Sequence, residues 1–318
     1  MKLPISVIIP TLNCRKKLVR HLDAIEEWLP LVEEIIAIDS NSSDGTKELL
    51  EERLQPYGAN ILSTGRGLYQ AWNLGASLAT QPYVYYSTVC DIISKNGLVE
   101  MSRLIESHRL DVLISPPKMV DEDGEREVNV KWPIHYVLKY LEFKEGVTLV
   151  TNVQKMLFLA PFIPATILGS SASNLYRTQI LKEHPFPLDV GTVGDSYWAL
   201  KNFPYLSIGI ANEFYATFCW DGVRNGPWDE SGEIMEKFKK EEEALNNITN
   251  SIGFIKDYYN IGYINEYFKD ECRRLQAAIK EYDAYVKFLT RPLSVKAKDV
   301  FFKYTSVRYW WGRIFSRG

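Results

Sequence analysis

The chain has 318 residues, which is enough for one large domain or two of ordinary size. Apolar residues make up 46% and charged residues 24%, proportions typical of a globular protein with a substantial core. The net charge of −3 argues against a dedicated nucleic-acid-binding protein, because such proteins carry a clear basic excess.

The first 115 residues alternate between strand and helix patterns. The predicted strands cover residues 5–9, 35–38, 60–63, 83–87 and 111–115. Apolar residues at helical spacing fill the intervals, at about residues 18–29, 44–54, 68–79 and 97–107. This alternation predicts an α/β fold with right-handed crossovers and a mostly parallel central sheet flanked by helices.

Polar residues follow three of the predicted strands directly. Thr11 and Asn13 come after the first strand, Asp39 after the second and Asp91 after the fourth. Ligands of such sheets bind outside the carboxyl ends of the strands, so these segments predict one binding site. Taken alone, the loop after Asp39 is equally well explained as a capping segment in which Asp44 begins a helix.

The remainder of the chain divides into two parts. Residues 116–226 mix short strands with loops and are expected to complete a first domain that begins with residues 1–115. Residues 227–318 are predicted to be a helical extension. Its basic, aromatic tail at 296–318 has two interpretations: contact with an anionic membrane surface, or packing of the aromatic residues on the protein.

The cysteines and the N-terminus bear on the cellular compartment. The four cysteines, at positions 14, 90, 219 and 272, form no CxxC motif, which argues against a zinc site or a redox motif and favours a reducing compartment. The opening residues MKLPISVIIP lack the pattern of a signal peptide. We therefore expect a cytoplasmic location, with attachment to the inner face of the membrane left open.

Three segments in a fixed order carry a family resemblance. They read SVIIPTLN at 6–13, AIDSNSSDGT at 37–46 and GRGLYQAWNLGASLATQPYVYYSTVCD at 65–91. Together they resemble the family 2 glycosyltransferases of the GT-A fold, closely over residues 4–91 and more loosely to about 200. The resemblance implies transfer of a sugar, with inversion, from a nucleotide-sugar donor to a glycan, a lipid-linked or another hydroxyl acceptor. Uracil is the base it favours, with guanine and thymine left open. It also implies that residues 1–115 form the nucleotide-sugar-binding half of the first domain and residues 116–226 its acceptor-binding half.

The resemblance also implies where the donor binds. It places the base and the nucleoside at Pro10, Thr11, Asn13, Asp39 and Ser40. It places the diphosphate near Arg66 and Gly67, with Asn73 organising the helix beneath them. This sequence departs from the family at Gln70, where Asp is usual, and Arg66 is also explained as a solvated surface charge.

The acidic motif of the family is reduced in this chain. The segment Thr88-Val89-Cys90-Asp91 keeps one carboxylate where the family usually has two or more that hold a divalent cation. Mg²⁺ prefers oxygen ligands, and Cys90 offers a soft thiol instead. Two alternatives remain: Asp91 and the phosphates of the donor hold Mg²⁺ or Mn²⁺, or Arg224 supplies the positive charge. Arg224 is equally well explained as an exposed loop residue.

The second half offers a candidate general base. The segment GTVGDSYWAL at 191–200 resembles the place where the family has Glu-Asp, so Asp195 matches the catalytic carboxylate and Gly194 replaces the Glu. Such a base removes the proton of the acceptor hydroxyl. Without the resemblance, Asp195 is better explained as the cap of a helix that begins at Ser196.

Two other classes compete with this interpretation. A nucleotide-dependent dehydrogenase would carry G-x-G-x-x-G after the first strand, where this chain has PTLNCR. The second class is a GT-A-fold protein that binds a sugar nucleotide without turnover, which the reduced acidic motif leaves open.

Overall fold

The computed structural model describes the first two-thirds of the chain. The described residues are 2–138, 141–151, 154–155 and 166–220, together with Glu236 and Lys240. Arg224 and nearly all of the predicted extension at 227–318, with its basic, aromatic tail, lie outside these residues. The predictions made for them, and the proposed division of the chain into domains, stay predictions.

The described part contains eleven strands and seven α-helices. The strands are β1 (Leu3–Thr11), β2 (Val32–Asp39), β3 (Asn60–Ser63), β4 (Tyr83–Tyr86), β5 (Ile92–Ile93), β6 (Val112–Ile114), β7 (Lys118–Asp121), β8 (Val147–Leu149), β9 (Asn174–Arg177), β10 (Ile208–Ala211) and β11 (Ala216–Trp220). The helices are α1 (Arg15–Ile25), α2 (Thr46–Leu54), α3 (Leu68–Leu78), α4 (Lys95–Ser107), α5 (Pro133–Val137), α6 (Thr178–Glu183) and α7 (Gly194–Asn202).

Eight of these strands form one sheet in the order β3-β2-β1-β4-β9-β6-β10-β8. Six of them run in the same direction, while β9 and β8 are antiparallel to their neighbours. The predicted α/β fold with a mostly parallel sheet is therefore confirmed. Both halves of the predicted first domain contribute strands to this one sheet.

The apolar run that predicted β1 is buried because helices cover both faces of the sheet. Ile8 faces a core that contains Trp72 of α3, Tyr176 of β9 and Trp198 of α7. The neighbouring Val7 and Ile9 face the opposite core, which contains Leu18 and Leu22 of α1 and Leu50 of α2 among its members. Successive strand residues point to opposite faces, so a strand that is buried on both faces has no polar positions to alternate with.

Two helix boundaries differ from those predicted. The first helix ends at Ile25, before the predicted residue 29, because Pro30 lies in a separate 3₁₀ turn at Leu29–Leu31. The second begins at Thr46, preceded by Gly45 with a left-handed φ of 84°. Gly45 thus occupies the N-cap position predicted for Asp44, which lies one residue further out and accepts at Oδ1 a hydrogen bond from the backbone N–H of Thr46 at 3.1 Å.

A smaller sheet of three strands, in the order β5-β11-β7, lies next to the carboxyl end of β4. It brings the end of β11 against the loop that contains Asp91, because the Cys219 N–H donates to Asp91 Oδ1 at 3.0 Å. Among the residues that the structure describes, no helix has the length and apolar character needed to cross a bilayer.

Candidate functional site

Thr11 and Asp39 meet at the carboxyl end of the sheet. They are paired in register on β1 and β2, and the Thr11 hydroxyl donates to Asp39 Oδ1 at 3.1 Å. The backbone N–H of Ser40 donates to the Thr11 carbonyl at 2.8 Å, which extends the contact past the strand ends. The structure thus brings together Thr11, Asp39 and Ser40, at the edge where the sheet topology predicts a ligand.

The Asp39 carboxylate organises the loop that follows it. Ser42 donates its N–H to Oδ2 at 2.8 Å and its hydroxyl to Oδ1 at 2.6 Å. With the hydroxyl of Thr11, the buried carboxylate therefore accepts three hydrogen bonds. A carboxylate oxygen has two acceptor directions, so Oδ1 is filled and Oδ2 keeps one.

Asn13 braces the same loop from the other side. Its Oδ1 accepts from the Ser43 N–H at 2.9 Å, and its own N–H donates to the Ser42 hydroxyl at 2.8 Å. Asn13 has a φ of 44°, in the left-handed region that Asn tolerates better than most residues. Pro10 differs from the other four in that it has no polar side chain, and like Thr11 it is buried inside β1, where it is paired with Ile38. It therefore shapes the strand end more than it lines an open pocket.

The segment before α3 contains Arg66 and Gly67. Gly67 has a φ of 146°, a conformation that favours glycine, and the Gln70 side chain folds back over it. Arg66 is exposed, which agrees equally with a diphosphate contact and with a solvated charge. Gln70, the position where the family usually has Asp, thus covers the start of α3.

Asn73 holds α3 to a distant loop. Its Nδ2 donates to the Phe186 carbonyl at 2.8 Å, and its Oδ1 accepts from the Phe186 N–H at 2.9 Å. The amide group is engaged by backbone on both sides. Asn73 therefore ties α3 to the segment that leads to α7, and its role beneath the donor stays a prediction.

The reduced acidic motif forms a turn that ties three segments together. Asp91 is 6% exposed, and its N–H donates to the Thr88 carbonyl at 3.1 Å. Its Oδ2 accepts from the Thr88 hydroxyl at 2.8 Å and from the Ser170 hydroxyl at 3.2 Å. Its Oδ1 accepts from Cys219, as described above. Asp91 therefore organises the turn, and neither oxygen is left without a donor.

These residues do not fit a protein-built site for Mg²⁺ or Mn²⁺. Both cations favour oxygen ligands, but the Asp91 oxygens already accept from Thr88, Ser170 and Cys219, and the cleft beside them adds one carboxylate, that of Glu122, and the thiols of Cys90 and Cys219. Over the described ranges, no cluster of three or more His, Cys, Asp or Glu side chains is placed to hold a metal ion.

A small cleft opens beside Asp91. Its volume is about 100 Å³, and its lining is formed by Cys14, Lys17, Val89, Cys90, Asp91, Glu122 and Cys219. Ligand pockets usually measure about 300–1,000 Å³, so this cleft is too small to be the sugar-nucleotide pocket itself. The hydrogen bond with Cys219 lowers the pKa of the Cys90 thiol to about 7, although burial opposes the shift.

His21 supports the strand end that leads into this turn. Its Nε2 lies 2.9 Å from the Ser87 hydroxyl, and the ring is fully buried. Burial, with a smaller contribution from the charge of Arg20, lowers its pKa to about 4. The folded state therefore resists protonation that the unfolded chain accepts near pH 6.5.

This difference predicts a pH dependence of stability. The stabilising effect of neutral His21 is complete above about pH 6.5 and is lost as the pH falls toward 4. Between pH 7 and pH 5, we expect His21 to lower the free energy of unfolding by about 2 kcal/mol. Urea unfolding of the wild type and of His21→Gln at both pH values measures this difference, and equal pH slopes in the two proteins would contradict it.

Asp195 lies in the first turn of α7. The helix begins at Gly194, so the expectation that Asp195 caps a helix starting at Ser196 is wrong in its boundary. The carboxylate Oδ1 accepts from the Ser196 N–H at 2.7 Å and from the Tyr69 hydroxyl at 3.3 Å. The same hydroxyl accepts from the Asp195 N–H at 3.0 Å. Asp195 is half-buried, with its carboxylate held in one orientation.

Tyr69 was not among the residues singled out from the sequence. Its ring stacks on Phe186 at 5.7 Å and contacts Trp72 edge-on at 5.3 Å. Burial, followed by the neighbouring charge of Asp195, raises the pKa of its hydroxyl well above the ordinary value. Tyr69 belongs to the Gly67 segment, so it connects the candidate donor side to the candidate base. Its place in that motif was the available signal.

Gly194 is required by the ring of Tyr69. A Cβ at this position would lie 2.4 Å from Cε2 of Tyr69, so the ring or the helix start would have to move. We expect Gly194→Ala to lower the free energy of unfolding by about 1–3 kcal/mol. Chemical denaturation checks this, with Gly65→Ala as the control because a Cβ there has open space. Equal effects of the two substitutions would contradict the steric argument.

Comparison with known proteins finds a family model that matches part of this chain. Residues 6–162 match the family model described as glycosyl transferase family 2. Poly(ribitol-phosphate) β-N-acetylglucosaminyltransferase TarS of Staphylococcus aureus (strain Mu50 / ATCC 700699) is 24% identical over 205 residues, which are 62% of this chain and 32% of TarS. The PGL/p-HBAD biosynthesis glycosyltransferase of Mycobacterium bovis (strain BCG / Pasteur 1173P2) is 26% identical over 146 residues, 45% of this chain and 55% of that protein. The chain thus spans about a third to about half of these curated relatives.

Solved structures share the fold. S. aureus TarS 1-349 in complex with UDP superimposes with a TM-score of 0.58 at 18% identity, over 92% of this chain and 76% of that one. A mannosyltransferase from Pyrobaculum calidifontis, in complex with GDP-Man and Mn²⁺, gives a TM-score of 0.50 at 16% identity, over 98% of this chain and 83% of that one. At these identities the likeness concerns the fold alone.

Proposed function

The region at residues 6–162 of this chain belongs to glycosyl transferase family 2 and has the GT-A fold, and from this premise we propose that the protein transfers a sugar from a nucleotide-sugar donor to a hydroxyl acceptor. One observation carries the proposal: the Thr11–Asp39–Ser42 cluster at the carboxyl end of the sheet. It holds a buried carboxylate with one free acceptor direction at the place where the topology predicts a ligand.

The nucleoside is assigned to this cluster. The free direction of Asp39 Oδ2 suits an N–H of the base or a ribose hydroxyl, and both of these groups donate. Asn13 and Ser40 form the adjoining walls. Uracil is the base we favour, since TarS structures contain UDP and UDP-GlcNAc. Guanine is the second candidate, because the structure of the Pyrobaculum enzyme contains GDP-Man.

The diphosphate is assigned to the start of α3. Backbone N–H groups at a helix N-terminus attract anions, and a phosphate that approached Gly67 would take the place of the Gln70 side chain that now covers it. Arg66 is exposed beside it and adds a positive charge. Arg224, outside the described residues, is retained as a second cation for the leaving group.

Asp195 is assigned as the general base. In this mechanism, it takes the proton of the acceptor hydroxyl while that oxygen attacks the anomeric carbon and the bond to the diphosphate breaks. The Tyr69 hydroxyl and the Ser196 N–H donate to the carboxylate, and the Asp195 N–H donates to the same Tyr69 hydroxyl, so the side chain needs little reorganisation. No second carboxylate is assigned as a nucleophile, so the mechanism is a single displacement with inversion.

The acceptor is proposed as a chemical class and not as a single molecule. TarS is named for poly(ribitol-phosphate) and the mycobacterial relative for PGL/p-HBAD biosynthesis, which favours a glycan or a lipid-linked acceptor. A lipid-linked acceptor would agree with cytoplasmic attachment to the inner face of the membrane through residues 296–318.

A second candidate function is binding of a sugar nucleotide without turnover. The engagement of Asp91 by Thr88, Ser170 and Cys219 favours it, because the turn that usually meets the diphosphate is filled by internal hydrogen bonds. The two candidates share the donor site and differ only in whether the sugar is transferred.

Release of the nucleoside diphosphate separates them. The purified chain is incubated with UDP-sugars and GDP-mannose, with glycan and lipid-linked acceptors, and the free diphosphate and the anomeric configuration of the product are measured. The transferase predicts acceptor-dependent release and an inverted linkage. Binding of the donor without release under any of these conditions would favour the second candidate.

A further inference from the structure

Two cysteines that lie far apart in the sequence meet beside the Thr88–Asp91 turn. The Cys219 thiol donates to the Cys90 carbonyl oxygen at 2.9 Å, and the two residues pack with Val120 in one small buried cluster. Both residues are nearly buried, with exposed fractions of 9% for Cys90 and 8% for Cys219. Neither takes part in the proposed transfer reaction.

The backbone holds these two side chains in place. The Cys219 N–H is bonded to Asp91, and β11, which contains Cys219, is paired with β7 and β5. Cys90 has a φ of 85°, a left-handed conformation that is uncommon for a residue with a Cβ and persists only when its surroundings enforce it. Cys219 Sγ lies 2.9 Å from the Cys90 carbonyl oxygen and both residues line one cleft, so we expect rotation of the two side chains, with little movement of the backbone, to bring the sulfur atoms to bonding distance.

The surroundings of the pair give a small oxidant access and place two cations near the thiols. Both cysteines line the cleft of about 100 Å³ described above, which is large enough for a peroxide molecule. Lys17 lines the same cleft together with the carboxylates of Asp91 and Glu122, and Nη2 of Arg20 lies 3.8 Å from Cys219 Sγ. Positively charged neighbours and partial access distinguish reactive cysteines from inert buried ones.

We propose that Cys90 and Cys219 form a dithiol site that a peroxide oxidises to an intramolecular disulfide. The Cys90 sulfur attacks one peroxide oxygen, the O–O bond breaks, and the departing hydroxide takes a proton to leave as water. The Cys219 sulfur then attacks the sulfur of the Cys90 sulfenic acid, the S–O bond breaks, and a second water carries away the Cys219 proton. The thiols lose two electrons and the peroxide gains them.

Peptide mapping of the whole chain tests this site. The reduced protein is treated with hydrogen peroxide under native conditions, free thiols are blocked with N-ethylmaleimide, and the protein is digested without reduction. We expect a linked pair of peptides containing Cys90 and Cys219, with a mass lower by two hydrogens, that dithiothreitol separates. Blocked thiols at both positions after treatment, or a disulfide that uses Cys14 or Cys272, would overturn the proposal.

Two variants test whether Cys90 and Cys219 are sufficient for the link and which role Cys219 has in it. The double variant with Cys14→Ser and Cys272→Ser keeps only the proposed pair, so it should form the link as fast as the wild type. Cys219→Ser removes the resolving thiol, so the sulfenic acid should persist on Cys90 and react with dimedone. Loss of the link in the double variant, or no dimedone adduct on Cys90 in a folded Cys219→Ser protein, would contradict the site. Neither readout depends on sugar transfer.

Discussion

Replacing Asp195 by Asn is expected to lower the rate of sugar transfer by about 10²–10⁴-fold, because the amide cannot take the proton of the acceptor hydroxyl. The affinity for the nucleotide should stay unchanged, since Asp195 lies on the acceptor side. The fold should also be retained, because the Asn side chain keeps the size of Asp and one oxygen to accept from Tyr69 and Ser196. Steady-state rates of diphosphate release, together with calorimetric titration of UDP, measure both quantities.

Glu183→Gln is the matched control for this substitution. Glu183 is an exposed carboxylate at the end of α6, where it accepts a hydrogen bond from Gln179, and it has no assigned role in the reaction. Its rate of transfer should equal that of the wild type. A rate for Asp195→Asn within a few-fold of the wild type would remove Asp195 as the base.

Replacing Asp39 by Ala is expected to act on both stability and binding. The hydroxyl groups of Thr11 and Ser42 and the Ser42 N–H lose their common acceptor, which should lower the free energy of unfolding by about 2–4 kcal/mol. Loss of a charge-assisted hydrogen bond to the nucleoside should weaken nucleotide binding by about 10–100-fold. Denaturant unfolding and calorimetry at a temperature well below the unfolding transition measure the two effects separately.

Ser42→Ala separates the two roles of Asp39. This substitution removes the hydroxyl donor at 2.6 Å but leaves the carboxylate and its free acceptor direction in place. It should cost about 1 kcal/mol of stability and change nucleotide affinity by about twofold or less. If Ser42→Ala weakened binding as strongly as Asp39→Ala, Asp39 would act through the loop and not through contact with the nucleoside.

The sheet was predictable because β1, β2 and β4 are buried on both faces. Such strands have a continuous apolar sequence that is hard to mistake when helical periodicity fills the intervals. The same reasoning placed Thr11 and Asp39 together, because the ends of parallel strands share one edge. The second sheet was missed, since β5 has two residues and its strands come from distant segments.

The contacts of the candidate site were less accessible to sequence reasoning. Ser42, which supplies two of the three donors to Asp39, is one of several similar residues in SNSSDG, and nothing in the pattern selects it. The Tyr69–Asp195 contact joins residues 126 positions apart, and that of Cys90 with Cys219 joins residues 129 apart. The absence of a CxxC motif therefore excluded only a local cysteine pair, because the fold creates a distant one.

The carboxyl end of this sheet is proposed to bind a uridine diphosphate sugar at Asp39. Thermal unfolding of the wild type and of Asp39→Ala with UDP, GDP, dTDP and CDP, each with and without Mg²⁺ or Mn²⁺, measures this binding. A ligand at one hundred times its dissociation constant stabilises the folded state by about 2.7 kcal/mol. We predict the largest rise of the unfolding temperature with UDP and its loss in Asp39→Ala. No rise with any of the nucleotides would contradict the proposed function.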